Sequence, residues 1–236
     1  MFSRFLLLTG FVAILVVPSS ATAQGTFTWN FGTGTGNPAA SSSTGTGATA
    51  GSFSIANSFG AVATPLTNVN PSDNAGASGA FNLGNAVNNA FTTFNAAAPY
   101  YQVTLTDSGT GGLQLNNFTF NYRRATTGAI NYSLRSSTNS FGSDLLTGTV
   151  NTINTWVPQT NGTGDVNLGT GTVTLRLYVF NGSGAAASGV INSQIDDVVI
   201  SYTPVPEPAT MLSLSALGLG AVGLVRRIRR TAVVVS

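Results

Sequence analysis

Asp196 and Asp197 stand side by side and form the sharpest pair of carboxylates in the chain. Neighbours on a strand point to opposite faces, so the two cannot easily share one metal or one glycosidic oxygen. Glycoside hydrolysis needs two carboxyls about 5 to 9.5 Å apart across a cleft. Three roles stay open for the pair: a strand-entry cap for backbone N–H groups, a structural Ca²⁺ held by one of the two with loop carbonyls, and catalysis. Arg123 and Arg124 are adjacent in the same way. One should face solvent, while the other pairs with an Asp inside or touches a saccharide. Trp29, Tyr100, Tyr101, Trp156 and Tyr178 are candidates for stacking on sugar rings, although most aromatics of a β protein fill its core. Trp29 sits within an alternating run and reads as core. Trp156, before Val157-Pro158 in a polar stretch, is the better candidate for glycan contact.

The remaining inventory excludes more than it offers. The 236 residues include nine Arg, no Lys, six Asp, one Glu, no His and no Cys. That removes thiol nucleophiles, Ser-His triads, ordinary zinc sites, Schiff-base lysines and the phosphate lysine of a P-loop. Carboxylates other than the single Glu are Asp73, Asp107, Asp144, Asp165, Asp196 and Asp197, and no motif joins any two of them. No catalytic residue is assigned, and a non-enzymatic chain is expected.

The elements that would carry these residues lie between two apolar ends. Residues 1–23 read as a secretory signal peptide: Arg4 supplies the positive start and Phe5 to Val17 is apolar apart from Thr9 and Gly10. Pro18-Ser19-Ser20 then breaks the helix before Ala21-Thr22-Ala23, whose small residues suit signal peptidase. Cleavage is expected between Ala23 and Gln24. At the other end Ala209 to Val225 carries no charge. As a helix it would span roughly 26 Å at ~1.5 Å per residue, slightly short of a ~30 Å hydrocarbon core. Arg226, Arg227, Arg229 and Arg230 follow as a stop-transfer flank expected to stay cytoplasmic. Five of the nine Arg belong to these ends, so the basic isoelectric point misleads. Residues 24–208 hold four Arg against six Asp and one Glu, a net charge of −3. They lack the clustered basic face a nucleic-acid partner requires.

Immediately before the apolar tail stands Val205-Pro206-Glu207-Pro208. Two prolines deny the backbone helical hydrogen bonds and hold it extended, which suits a linear substrate. Pro-Glu-Pro, a short apolar helix and an Arg cluster, in that order over Val205 to Arg230, resemble the tripartite C-terminal signal of PEP-CTERM proteins. The resemblance implies that a membrane-embedded exosortase recognises Pro206-Glu207-Pro208 and cuts nearby. It also implies a membrane-anchored intermediate at the inner membrane of a Gram-negative cell, followed by release to the cell surface or extracellular matrix. The exosortase would then be the second processing partner, after signal peptidase.

Residues 24–203 read as one ectodomain, and 204–236 as the sorting signal. Within the ectodomain, apolar residues alternate at Phe27, Trp29 and Phe31, at Phe53 and Ile55, and at Tyr101, Val103 and Leu105. Leu113 and Leu115 with Phe118, Phe120 and Tyr122 make one long or two short strands. Tyr132 and Leu134, then Thr172 to Phe180, then Ile195 to Tyr202 complete the pattern. Gly32 to Gly51 is low in complexity and reads as loop. Many short strands without helical periodicity predict an all-β, antiparallel sandwich. Tyr100 to Ser143, together with Ile195-Asp196-Asp197-Val198, resembles the ectodomain of many PEP-CTERM proteins and the last strand of carbohydrate-binding jelly rolls. The resemblance implies a jelly-roll-like sandwich, with a bulge and a loop site at Asp197 that would take the structural calcium. No other cofactor is expected.

Three functions compete at this point. The first is a non-enzymatic surface or matrix protein associated with exopolysaccharide in a biofilm. The second is a carbohydrate-binding module, and the third an extracellular hydrolase working with carboxylates alone. A face that exposes aromatics beside polar groups would favour the second, and two facing carboxylates in a cleft the third.

Overall fold

The computed structural model describes residues 24–31, 42–56, 81–83, 91–109, 111–126, 128–160, 162–182 and 193–206. All lie in one compact unit, Thr22–Glu207. Its strands in chain order are β1 (Gly25–Trp29), β2 (Ser42–Thr44), β3 (Ala48–Ala50), β4 (Ser54–Ala56) and β5 (Phe81–Leu83). Then come β6 (Tyr100–Asp107), β7 (Leu113–Arg124), β8 (Asn131–Ser136) and β9 (Leu146–Thr149). The last four are β10 (Val157–Gln159), β11 (Val166–Gly169), β12 (Thr172–Phe180) and β13 (Ser193–Pro204). Among the described residues these form two antiparallel sheets. The first runs β10-β7-β13-β1-β2, with β11 also on β7 and β5 also on β13. The second runs β3-β6-β12-β8-β9, with β4 also on β6. The expected all-β sandwich is the observed one.

Period-two alternation explains the long strands. Tyr101, Val103 and Leu105 of β6 turn inward, as do Val173, Leu175 and Leu177 of β12, and all are buried. Phe27 and Trp29 of β1 join Phe118, Phe120 and Tyr122 of β7 and Val198, Ile200 and Tyr202 of β13 in the same core. Rings interlock within and between the sheets. Phe27 stacks on Tyr202 at 4.9 Å, Trp29 meets Phe53 edge-on at 5.0 Å, and Phe120 of the first sheet meets Tyr132 of the second at 5.2 Å. Each such side chain contributes about 1.5–3 kcal/mol by burial. With no disulfide available, this aromatic core carries the fold.

Two bulges correct the register of the β7–β13 pair. Asp196 pairs with Asn121 and Val199 with Thr119, so Asp197 and Val198 together oppose Phe120. That extra residue lets Ile195 and Val198, three apart, both reach the core. Ser201 pairs with Asn117 but Tyr202 with Leu115, so Asn116 is the extra residue on β7. Leu113 to Arg124 is therefore one long strand whose inward set skips a place between Leu115 and Phe118.

The loop expected over Gly32–Gly51 is corrected in its second half, which contains β2 and β3. All three β2 residues are exposed. β2 is held to β1 by ladder bonds and by the Thr26 and Thr44 hydroxyls, 2.7 Å apart. An edge strand of hydroxyl residues buries nothing, so no apolar alternation announces it. The short strands β5, β9, β10 and β11 likewise carried no recognisable signal.

Candidate functional site

The last strand runs without a linker up to Pro206, the first residue of the Pro-Glu-Pro tripeptide. β13 is flanked by β7 and β1 and stays paired up to Pro204, opposite Leu113. The Val205 N–H then donates to the Gly112 carbonyl at 2.9 Å, and Pro206 is exposed. Glycines line this exit because nothing larger fits. A Cβ on Gly111 would run into the Val205 carbonyl oxygen, and a Cβ on Gly25 into the ring of Tyr202. Gly25 opens β1 and pairs with Tyr202 near the end of β13. The exposed Gln24, first residue after the expected signal-peptide cut, therefore emerges at the same pole as Pro206. Ala21, Ala23, Glu207, Pro208, the segment 209–225 and Arg226, Arg227, Arg229 and Arg230 lie outside the described residues.

The acidic pair occupies the β13 bulge. Asp196 is buried at 1% exposure, and its Oδ1 accepts the Asp197 N–H at 2.8 Å. Asp197 is half-buried and left-handed, with φ +48°, and its Oδ2 accepts the Asn121 side-chain amide at 2.9 Å. Asp and Asn tolerate this conformation better than branched residues do. Among the described residues no three acidic side chains converge as metal ligands. The other described aspartates are also tied to local structure. Asp107 accepts the backbone N–H groups of Gly109 and Gly112, Asp165 accepts the Asn116 amide, and Asp144 pairs with Arg135. Asp73 lies outside the described residues.

Neither of the adjacent arginines simply faces solvent, since Arg123 is half-buried and its Nε is enclosed. Arg124 is buried, yet its guanidinium donates to the carbonyls of Val150 and Asn151, at 2.8 and 2.7 Å, and not to a carboxylate. Arg123 donates to the Gln194 side chain at 2.9 Å. Trp156 directly precedes the edge strand β10 and is half-buried; its enclosed indole N–H has no partner among the described residues. Trp29 is fully buried, as its place in the alternation predicted. Burial also raises the pKa of three core tyrosines. Tyr122 moves furthest, against a partly opposing hydrogen bond from Ser193, while desolvation lifts Tyr132 and Tyr202.

A further cluster lies on the outward face of the second sheet. Outward residues of β6 and β12 meet as Tyr100 with Tyr178, Gln102 with Arg176, Thr104 with Thr174 and Thr106 with Thr172. On the other side Arg176 faces Arg135 of β8. The Arg176 guanidinium lies 4.4 Å from the centre of the Tyr100 ring and 4.1 Å from that of Phe141, and its Nε donates to Gln102 Oε1 at 2.8 Å. Arg135 lies over Phe94, donates to the Phe141 carbonyl at 2.9 Å and pairs with Asp144. Ser140 and Phe141 both adopt positive φ, +56° and +59°. Tyr100 and Tyr178 stand out in the sequence as aromatic candidates, whereas Arg176, Gln102 and Phe141 carry no comparable mark there. The available signal was one charge at an outward position of Thr172–Phe180, an otherwise uncharged run.

Residues 204–230 match the PEP-CTERM protein-sorting motif. The motif implies an exported protein processed by an exosortase. No curated protein matches the chain. Among solved structures, the K1 cleaved adhesin domain of Lys-gingipain from Porphyromonas gingivalis W83 is similar at 15% identity and a TM-score of 0.43, over 74% of this chain and 96% of that one. The K3 domain of the same protein is similar at 17% identity and a TM-score of 0.37, over 63% and 90%. A ruminal GH26 endo-beta-1,4-mannanase shares 14% identity at a TM-score of 0.27, over 50% of this chain and 22% of that one. Likenesses this loose assign no activity to the chain.

Proposed function

We propose that this is a non-enzymatic surface or matrix protein, released by exosortase processing and associated with exopolysaccharide. The observation that carries the reading is the flush exit of the sorting motif from β13. A body whose two ends emerge at one pole can fold outside the membrane while both flanking apolar segments are still held in it. Processing at that pole would free the sandwich without disturbing its core. Every described aspartate has a local structural partner, which supports a non-catalytic role.

The strand order supports a jelly roll within this reading. Numbering the eight main strands β1, β6, β7, β8, β9, β10, β12 and β13 from one to eight gives sheets ordered 6-3-8-1 and 2-7-4-5. This is the interleaving produced by folding one long hairpin over itself. The test is to fractionate host cells with and without their exosortase gene. The expected result is a smaller species in the surface and polysaccharide fraction of normal cells, with a full-length membrane species replacing it when the exosortase is absent. Equal distribution in both strains would remove the sorting claim.

A further inference from the structure

Arg176 and Arg135 stand directly opposite each other on adjacent strands, a placement that costs stability for like charges. Among the described residues only one of them is neutralised. Arg135 has Asp144, whereas the described partners of Arg176 are uncharged: two rings, the Gln102 amide oxygen and a long 3.4 Å contact to the Tyr178 hydroxyl. Its Nη2 has no hydrogen-bond partner among the described residues. A half-buried guanidinium held between two rings has lost much of its rotamer freedom, so an arriving anion need not order it. The ring of Phe141 is brought there by a loop with two successive left-handed residues. Strain of this kind persists where the surroundings over-determine it, and it concentrates at ligand sites. From Arg176 a row of hydroxyls continues along the same face: Thr174 and Thr172 on β12, Thr104 and Thr106 on β6. At about 6.6 Å between alternate strand residues, the row extends roughly 13 Å.

We propose that this outward face of the second sheet binds an acidic polysaccharide. Arg176 takes a uronate carboxylate on its free edge, and Gln102 and the threonine row take sugar hydroxyls. The inference rests on the exopolysaccharide association proposed above and adds to it a chemical class and a site. Charge complementarity favours a polyanion locally, although residues 24–208 as a whole carry a net charge of −3. The positive charge is confined to one spot, so recognition depends on the placement of the carboxylate and not on bulk attraction.

The test uses the processed protein recovered from its host, with alginate as a polyuronate, dextran as a neutral glycan, poly-glutamate as an acidic peptide, and the host's own polysaccharide. Alginate should retain the protein, less so as salt rises from about 0.05 to about 0.5 M, and dextran should not. Arg176→Gln should weaken alginate binding about tenfold or more. Arg176→Lys, which keeps the charge and loses the planar fork, should recover only part of it. Removing one of two facing positive charges should leave the thermal melt intact, and Phe141→Ala, which keeps the Arg176 charge but removes one of the rings that hold it, should also weaken alginate binding. Unchanged alginate binding in Arg176→Gln overturns the site. Capture by host polysaccharide without alginate binding overturns the uronate class and leaves the association standing. Stronger retention by poly-glutamate than by alginate overturns it in favour of an acidic peptide, and failure on all four probes overturns both readings.

Discussion

Gly25 and Tyr202 face each other across β1 and β13, and that pairing brings the first and last strands of the sandwich to the same pole. The approach is close enough that the Tyr202 ring occupies the space a Gly25 side chain would need. The chain thus enters the sandwich at Gln24 and leaves it at Pro206 on the same side.

The glycine-lined exit can be tested by adding one carbon. In Gly111→Ala the new Cβ meets the Val205 carbonyl oxygen, a backbone atom that cannot swing aside. The residues before Pro206 must then move, and the hydrogen bond from Val205 to Gly112 is disturbed. Stability is expected to fall by about 1–3 kcal/mol in chemical denaturation. Processing should slow in parallel, seen as accumulation of the unprocessed species. Wild-type stability and processing in Gly111→Ala would show that the exit is not constrained as described.

Alkaline pH provides a second test. Burial raises the pKa of Tyr122 well above its ordinary value of about 10, and its hydroxyl donates to the Ala129 carbonyl at 3.0 Å. Above that ordinary value the unfolded chain gives up the proton while the folded one keeps it, so the unfolded state binds fewer protons and stability falls with rising pH. The contribution is complete below about pH 10 and is lost from there upward, by at most about 1.4 kcal/mol per pH unit for this one group. Tyr132 and Tyr202 act in the same direction. Tyr122→Phe should flatten the alkaline loss and cost about 1 kcal/mol at neutral pH through the lost hydrogen bond. Identical alkaline slopes in urea titrations of the two proteins would contradict the assignment.

The two aspartates should respond differently to substitution. Asp196 is buried and its carboxylate holds the bulge by accepting the Asp197 N–H, so Asp196→Ala should cost about 1–3 kcal/mol. Asp197→Asn keeps a side-chain oxygen for Asn121 and tolerates the left-handed backbone, so it should stay within about 0.5 kcal/mol of wild type. Asp197→Val, β-branched at positive φ, should fall well below it. A structural calcium at Asp197 would alter this order: melts in calcium and in chelator would diverge for wild type and converge for Asp197→Asn. Equal melting of Asp196→Ala and wild type would remove the bulge-holding role.

What the sequence shows most clearly is what burial enforces. The inward alternations of β6, β12 and β13 are legible because one face of each strand must leave water, and the limits Thr172 and Phe180 of β12 follow directly. The bulges are harder to see. Leu115 and Phe118 record one as an interval of three in place of two, and Ile195 and Val198 record the other. The edge strands left no trace because Ser42–Thr44 and Val157–Gln159 gain their place by backbone pairing. The Arg176 cluster was illegible for a different reason. Gln102, Phe141 and Arg176 converge only after β6, β12 and the Ser137–Ser143 loop are brought together, and no local spacing encodes that convergence.

The same pairing limits where maturation can cut. Tyr202, Thr203 and Pro204 are still paired with β7, and Val205 is still hydrogen-bonded to Gly112. A cut before Pro204 would shorten β13, which is paired with β7 to its end and with β1 as far as Tyr202. A cut at or beyond Pro206 leaves the whole sandwich intact. At the other end, removal of residues 1–23 leaves only Gln24 ahead of β1, so all of β1 is retained. The mature protein is therefore expected to begin at Gln24 and to end at or after Pro206. Intact-mass measurement on the protein released by its host fixes both ends at once. A mature species ending before Pro204 would mean that the body is trimmed after a structural change and not at its folded exit, and one still carrying Phe5 to Val17 would overturn the cut before Gln24.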